Sequence, residues 1–531
     1  MKISGYSIIG FRQVSNGGKR FEAANPRTGE LVLPSFFSSS PEDIDLAAKL
    51  ADEAFPTYSR VSGREKGKFL RTIADHIDSA VDALVERAEL ESALPKPRLI
   101  GEAARTSGQL RLFADLVEEG SWVNPRIDRA DANRKPVPKP DLRSMLCPVG
   151  PVAIFGASNF PLAFSVAGGD TASALAAGNP VVVKAHPAHP GTSELVGWLL
   201  QKSVQECGLP EGVFSLLFDS GSEVGIGLVK HPLIKAVGFT GSRNGGRALM
   251  DATASRPEPI PVFAEMSSTN PVFILPGALR ERSDVIASGL HASFTIGAGQ
   301  FCTKPGMVFL ADGESDLSFI ATLQKLVSES KQFNLLTAGI RSAYQSGVAR
   351  RKAEEGVKLS AERLSSSDDS QIAVDPVLFE TDIQSLLRNP DLAAELFGPA
   401  TLLVRHSSRA DLIRLVANLE GHLTATIHGT EADLREYADL LAILKTKVGR
   451  LVFNGFPTGV EVAHAMVHGG PYPATSDGRS TSVGSQAIFR FCRPICYQGF
   501  PQEVLPDELK DNNPLRVWRM IDGKMTKDAV A

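Results

Sequence analysis

Apolar positions recur at helical spacing through the first quarter of the chain. Pro41 to Phe55 (PEDIDLAAKLADEAF) opens on an acidic turn and repeats apolar residues every three or four positions. Runs of the same kind span Gly63 to Ser79, Val81 to Leu94 and Pro97 to Glu119. Residues 128–145 then turn charged and proline-rich (RADANRKPVPKPDLRSM). No core helix survives there, so the segment is expected to be a linker or an exposed arm that pairs with another subunit. From Val152 the period changes. VAIFG reads as a buried strand, PLAFSVAGGDTASALAAG as a small-residue helix and NPVVVK as a second strand. A helix (191–207), a strand (213–217), a helix (222–230), a strand (234–239) and a helix from Gly241 follow. Strands alternating with helices across short connections predict a doubly wound parallel sheet. A second α/β region runs from Pro271 to about Gly455. A glycine- and serine-rich stretch (469–484) then leads to AIFRFCRPICY, which alternates like a strand.

This pattern divides the chain into a first α/β unit (1–127 with 146–266), a second (267–483), and an arm plus C-terminal segment (128–145 and 484–531). No pattern explains the residues beyond Pro506. Composition narrows the class. With 43% hydrophobic residues in 531, disorder is excluded, and 56 Lys+Arg against 60 Asp+Glu argue against nucleic acid or an anionic membrane as partner. Five cysteines are too few and too scattered for a disulfide scaffold, and no metal-ligand spacing surrounds Cys492 and Cys496, so no metal is expected. The uncharged run Ser144 to Gly169 is broken by Pro148, Pro151 and Pro161, which argues against a membrane span. The N-terminus lacks the apolar core of a signal peptide. A cytoplasmic protein is expected.

The chemistry is not announced by a common fingerprint, since neither GxGxxG after a strand nor a P-loop is present. Phe239-Thr240-Gly241-Ser242 followed by Gly245-Gly246 sits at a strand-to-helix junction, where bare backbone and helix amides suit a phosphate. Cys302, in GAGQFCTKPG, has small neighbours and a following Pro-Gly turn that leave its thiol accessible, although most free cysteines are inert packing. Glu265 ends the apolar run PVFAE and is either a local pairing group or a general base. Asn159, in GASNFP, is a turn residue or an amide donor to an oxyanion. Lys184 ends VVVK, where a lysine meets either solvent or a cofactor hydroxyl.

Together and in this order, Asn159 in SNFP, Lys184 in VVVK, FTGS at 239–242, Glu265, Cys302 in GQFC and Glu395-Leu396-Phe397-Gly398-Pro399 resemble the aldehyde dehydrogenase superfamily. The NPRTGE turn at 25–30 agrees, as does the 37-residue interval from Glu265 to Cys302. The likeness runs from about 25 to 500. It implies the superfamily's α/β fold, with a doubly wound parallel-sheet dinucleotide-binding domain (1–127 and 146–266), an α/β catalytic domain (267–483) and an oligomerisation arm and C-terminal segment (128–145 and 484–531), and NAD(P)-dependent aldehyde oxidation through a thiohemiacetal and thioester. It assigns Cys302 as nucleophile, Glu265 as the base that activates water and Asn159 as oxyanion donor. It also places Lys184 on the adenosine ribose, Gly241, Ser242 and Gly246 at the pyrophosphate turn, and Glu395 and Phe397 at the nicotinamide ribose. NAD-preferring members often carry a glutamate three residues after the lysine. Here Pro187 stands there, so NADP is expected over NAD, with Lys184 or His186 attracting its 2′-phosphate. Longer segments (KAHPAHPGTSELV, RPEPIPVFAEMSSTNPVF, HGGPYPATSDGRSTSVGS) resemble the branch that oxidises α-ketoglutaric semialdehyde (2,5-dioxopentanoate).

Other semialdehydes, fatty aldehydes and a non-catalytic relative are the alternatives, and a homo-dimer or homo-tetramer is implied. Phe160, Phe164, Phe301 and Phe456 are expected to line the channel. A cysteine hydrolase would need a histidine base. His464 and His468 are the nearest candidates, but no hydrolase signature surrounds Cys302.

Overall fold

The computed structural model describes residues 2–15, 18–363 and 373–530. Its N-terminal helices begin where side chains can cap them. Ser40 and Asp43 form a reciprocal capping box at the start of Pro41–Tyr58, and Ser62 and Glu65 do the same for Gly63–Ser79. Val81–Ser92 and Lys96–Glu119 follow, and Lys96–Glu119 packs along Gly63–Ser79.

Seven strands form the first sheet. In order they are Val262–Glu265, Ala236–Thr240, Val152–Phe155, Val181–Lys184, Phe214–Leu217, Ser7–Ile9 and Arg12–Val14. The first five are parallel, as the alternating pattern predicts, and the N-terminal pair closes one edge antiparallel. Val152–Phe155 has later strands on both sides, so the strand order reverses there. In open α/β sheets that is where ligands bind, beyond the carboxyl ends of the strands. The predicted helix from Pro161 starts only at Gly169 and ends at Ala177. Residues 161–168 form turns instead. A Cβ on Gly168 would lie 2.6 Å from the Ala163 carbonyl, a close approach that regular helix does not make.

A second seven-stranded sheet carries the later half. Its order is Val357–Glu362, Val377–Asp382, Ala400–His406, Met307–Ala311, Val272–Ile274, His422–His428 and Val448–Phe453, parallel except for the first pair. The long helix Pro276–Thr295 packs on it through Leu290 and Phe294.

The proline-rich segment and the tail meet in a third sheet: Cys492–Gln498, Leu142–Pro148, Arg126–Asp128, Arg519–Ile521 and Lys524–Thr526. Strand therefore begins at Cys492, while the predicted residues 487–491 are 3-10 helix. The tail beyond Pro506 adds two strands. It is fastened by the fully buried Arg519, whose guanidinium donates to the carbonyls of Lys510, Asp511 and Asp528. Trp518 and Met525 remain about half exposed on this sheet. Among the described residues no helix is long and apolar enough to cross a membrane.

Candidate active site

Glu265 is the last residue of the edge strand Val262–Glu265, and Asn159 lies in the turn after the switch-point strand Val152–Phe155. The two therefore emerge from the same end of the first sheet. Cys302 comes from the other direction. The helix Pro276–Thr295 ends, and Gly297, Ala298 and Gly299 all take left-handed backbone (φ 57°, 60° and 66°). A Cβ on Gly299 would lie 2.3 Å from the Gly398 carbonyl, so glycine is required there. This tight turn is fixed by Gln300, whose Oε1 accepts from Leu336 N at 3.0 Å. Asn270 completes it, its Nδ2 donating to the carbonyls of Cys302 (2.8 Å) and Lys304 (3.0 Å).

The thiol and the carboxylate converge on a third group. His468 Nε2 is 2.8 Å from Glu265 Oε1 and 3.4 Å from Cys302 Sγ, and Ser482 Oγ donates to Glu265 Oε2 at 2.6 Å. Sequence reading considered His468 only as a hydrolase base and set it aside. His468 lies 166 residues after Cys302 in an irregular loop, so no local period could reveal it. That loop docks through an isolated bridge between Glu265 and Thr475 and a bond from Met266 N to the Ala474 carbonyl. His464 is exposed.

Burial and the adjacent Glu265 push the Cys302 thiol well above its ordinary range. Burial alone would raise Glu265 as well. The neighbouring His468 and the hydrogen bonds from His468 and Ser482 outweigh it and hold the carboxyl below the usual value. Glu265 is therefore a carboxylate, and the bond to it is donated by His468 Nε2–H. Cys302, Glu265 and His468 offer donor atoms within 4.8 Å of one another. These atoms are already engaged with each other by hydrogen bonds, an arrangement suited to moving protons.

Asn159 Nδ2 donates to the Gln300 carbonyl at 2.8 Å, which brings the amide to the residue just before Phe301 and Cys302 and leaves a second N–H on the same nitrogen. Phe160, Phe164 and Phe301 form a cluster of edge-to-face rings, and Phe164 lies 6.3 Å from the His468 ring. Phe456 does not join them. It packs on His428 in the core of the second sheet.

Lys184 and the 241–246 turn flank the switch point on its two sides. Lys184 is nearly buried at the carboxyl end of its strand, and burial lowers its ammonium. Ser242 caps the helix Arg243–Ala254 by accepting from Gly245 N, Gly241 N donates to the Glu265 carbonyl, and Gly246 packs against Met266. A dinucleotide fits such a crevice, with helix amides on one strand and a cation two strands away. His186 stacks on His189 and accepts from Ala188 N through Nδ1. Burial keeps it neutral, so the positive charge at this end rests with Lys184.

At the opposite end, Glu395 is pushed up by burial, an effect opposed by Lys304 and a hydrogen bond from Ser267. Phe397 beside it is half-buried. Lys304, to which sequence reading gave no role, is fully buried. Its ammonium donates to the carbonyls of Leu396 (2.7 Å) and Ala400 (2.9 Å), which ties the Cys302 turn to the 395–400 segment.

The chain is similar to known proteins over nearly its whole length. The profile of the aldehyde dehydrogenase family matches residues 13–481. The chain is 47% identical over 525 residues to α-ketoglutaric semialdehyde dehydrogenase 2 of Azospirillum brasilense, covering 99% of this chain and all of that one. It is 45% identical over 526 residues to α-ketoglutaric semialdehyde dehydrogenase of Acinetobacter baylyi, covering 99% of each. Betaine aldehyde dehydrogenase of Staphylococcus aureus, solved with NAD+, superposes with a TM-score of 0.80 at 21% identity, covering 94% of this chain and 96% of that one. With the fold, the full-length relatives and the family profile in agreement, the chain belongs to the aldehyde dehydrogenase family and is an NAD(P)-dependent aldehyde oxidoreductase.

Proposed function

We propose that this enzyme oxidises 2,5-dioxopentanoate to 2-oxoglutarate, using Cys302 as nucleophile, Glu265 as base and NADP+ as the preferred cofactor. The meeting of a thiol, a carboxylate and an amide at the switch point carries the chemistry. The full-length similarity to two α-ketoglutaric semialdehyde dehydrogenases supports the substrate.

In this reading the raised thiol gives its proton to Glu265 as sulfur attacks the aldehyde carbon. His468 Nε2–H faces both atoms, so one donor serves whichever of the two is the anion: the carboxylate before transfer, the sulfur after it. The second N–H of Asn159 and the Cys302 backbone amide hold the oxyanion, each such donor lowering the barrier by about 3 kcal/mol. When bound, the nicotinamide cofactor supplies the hydride acceptor the side chains lack. Glu265 releases the thiol's proton to solvent water and then takes one from the water that attacks the thioester carbon. The carbon–sulfur bond breaks, and the carboxylate product leaves.

Lys184 and the 241–246 turn would hold the adenosine end, and Glu395 and Phe397 the nicotinamide ribose. Proline at 187 removes the carboxylate that would repel a 2′-phosphate. His186 contributes there as a neutral Nε2–H donor, since its Nδ1 is already an acceptor. The ratio of kcat/KM with NADP+ to that with NAD+ is expected to exceed one, and Pro187→Glu should lower it by about tenfold or more. A wild-type ratio well below one rejects the preference.

An absorbance screen for reduced nicotinamide across 2,5-dioxopentanoate, succinic and glutaric semialdehydes, and medium-chain fatty aldehydes tests the substrate. The highest kcat/KM is expected for 2,5-dioxopentanoate, and a clear preference for a fatty aldehyde overturns the reading. We also assign self-association to the third sheet, with its exposed Trp518 and Met525. Sedimentation velocity should give a species at least twice the monomer mass.

A further inference from the structure

We propose that Arg105 receives the distal carboxylate of the aldehyde substrate and so selects acidic semialdehydes over neutral aldehydes. The inference rests on the semialdehyde reading above and adds the residue that sequence alone left unassigned.

Arg98, Glu102 and Arg105 share one face of the helix Lys96–Glu119, the face turned toward the site. The Arg105 guanidinium lies 5.4 Å from the centre of the Phe164 ring, and Phe164 in turn lies 6.3 Å from His468, which touches Cys302. Nη1 of Arg105 donates to the Val460 carbonyl. Its Nε and Nη2 are buried and, among the described residues, have no acceptor. A guanidinium withdrawn from water with two idle nitrogens is costly, and their N–H groups match the paired oxygens of a carboxylate.

Neighbouring cations are more fully engaged: among the described residues Arg98 keeps one buried nitrogen without an acceptor (Nη1) and Arg450 one (Nε), against two in Arg105. Arg98 is wedged between Phe160 and Phe301 (4.9 and 4.8 Å) and donates to the Asn159 carbonyl at 2.7 Å, which fixes the turn that carries the oxyanion donor. Arg450 spends its terminal nitrogens on the carbonyls of Pro457 and Gly459. Arg105 feels Cys302, Glu461, Glu102 and Glu265, whereas Arg98 feels Glu102; Glu461, next to Val460, is exposed and keeps its access to water. Glu102 is the one carboxyl on the shared face. Burial pushes it up to about 7, which weakens it as a competitor for the guanidinium near neutral pH.

The test compares 2,5-dioxopentanoate with pentanal, a neutral aldehyde of equal carbon count. Arg105→Met is expected to lower the ratio of kcat/KM for the acid to that for pentanal by about 30- to 100-fold, mostly through KM. Arg105→Lys, which keeps the charge but loses the fork, should fall between. An equal loss on both aldehydes, or no loss, overturns the anchor while leaving the substrate reading intact. A wild type that oxidises other aldehydes but not 2,5-dioxopentanoate overturns both. A wild-type measurement guards against variants that fail to fold. Glutarate should protect Cys302 from alkylation by iodoacetamide at concentrations where pentanol does not, and equal protection by the two also overturns the anchor.

Discussion

Cys302→Ala is expected to lower aldehyde oxidation by about 10^5-fold while leaving dinucleotide binding within about twofold. The size follows from the covalent step, because removing the nucleophile of a covalent enzyme removes the route and leaves only positioning and oxyanion stabilisation. Binding survives because the proposed cofactor groups lie on other elements: Lys184 at the end of its strand, Ser242 at a helix start, and Glu395 beyond the Cys302 turn. The alanine also removes the thiol's hydrogen bond to Glu265, which keeps those from His468 and Ser482. Absorbance of reduced nicotinamide reads the first quantity and quenching of protein fluorescence by NADP+ the second. Turnover within tenfold of wild type sinks the covalent mechanism.

Glu265→Gln should separate the two halves of the reaction. Steady-state turnover is expected to fall by about 10^3-fold, the usual worth of a positioned base. With the thiol proton lost to solvent instead of to Glu265, a slower single turnover of reduced cofactor should still form at alkaline pH, and the acyl-enzyme should accumulate and be visible by intact mass. Glutamine keeps an acceptor for His468, and its amide N–H can donate to Ser482 Oγ in place of the bond Ser482 now gives, so the site stays assembled. The sign of the accompanying pH effect is fixed. The Glu265 anion disfavours a second anion on sulfur and is one cause of the raised thiol. Removing that charge moves the midpoint of the alkylation rate of Cys302 to lower pH. A midpoint that stays put or rises, or a variant that builds up no acyl-enzyme, rejects the assignment of Glu265.

How much of this was readable in the chain varies with the range of the forces involved. The helix Gly63–Ser79 has the boundaries its pattern predicts because its stop and start signals are local: a capping box at one end and loss of period at the other. Cys302, Glu265 and Asn159 were nameable because each sits in a short run whose order along the chain resembles a known family. Their convergence was not readable, since it depends on sheet order and on a left-handed turn at 297–299 that composition only hints at. The place of His468 beside Cys302 and Glu265 is hidden for the same reason. Its partners come from a strand end and a turn 203 and 166 residues away. Residues 161–168 read as helix because their side chains are small and apolar, yet close backbone packing at Gly168 breaks them into turns. The tail beyond Pro506 carried no readable role, because it gains one only by pairing with strands near residue 126.

The buried ammonium of Lys304 has a mechanical meaning. It hangs two residues from the sulfur and grips two carbonyls on either side of the Phe397-Gly398-Pro399 corner, while Asn270 holds the backbone at Cys302 itself. Pulling the ribose clamp away from the nucleophile would strip both contacts from a charge with no water to replace them, at about 1.5–3 kcal/mol apiece. Sulfur and clamp thus share one frame of reference. The gap between them is set by the length of a single side chain rather than by a hinge, and successive turnovers begin from the same alignment.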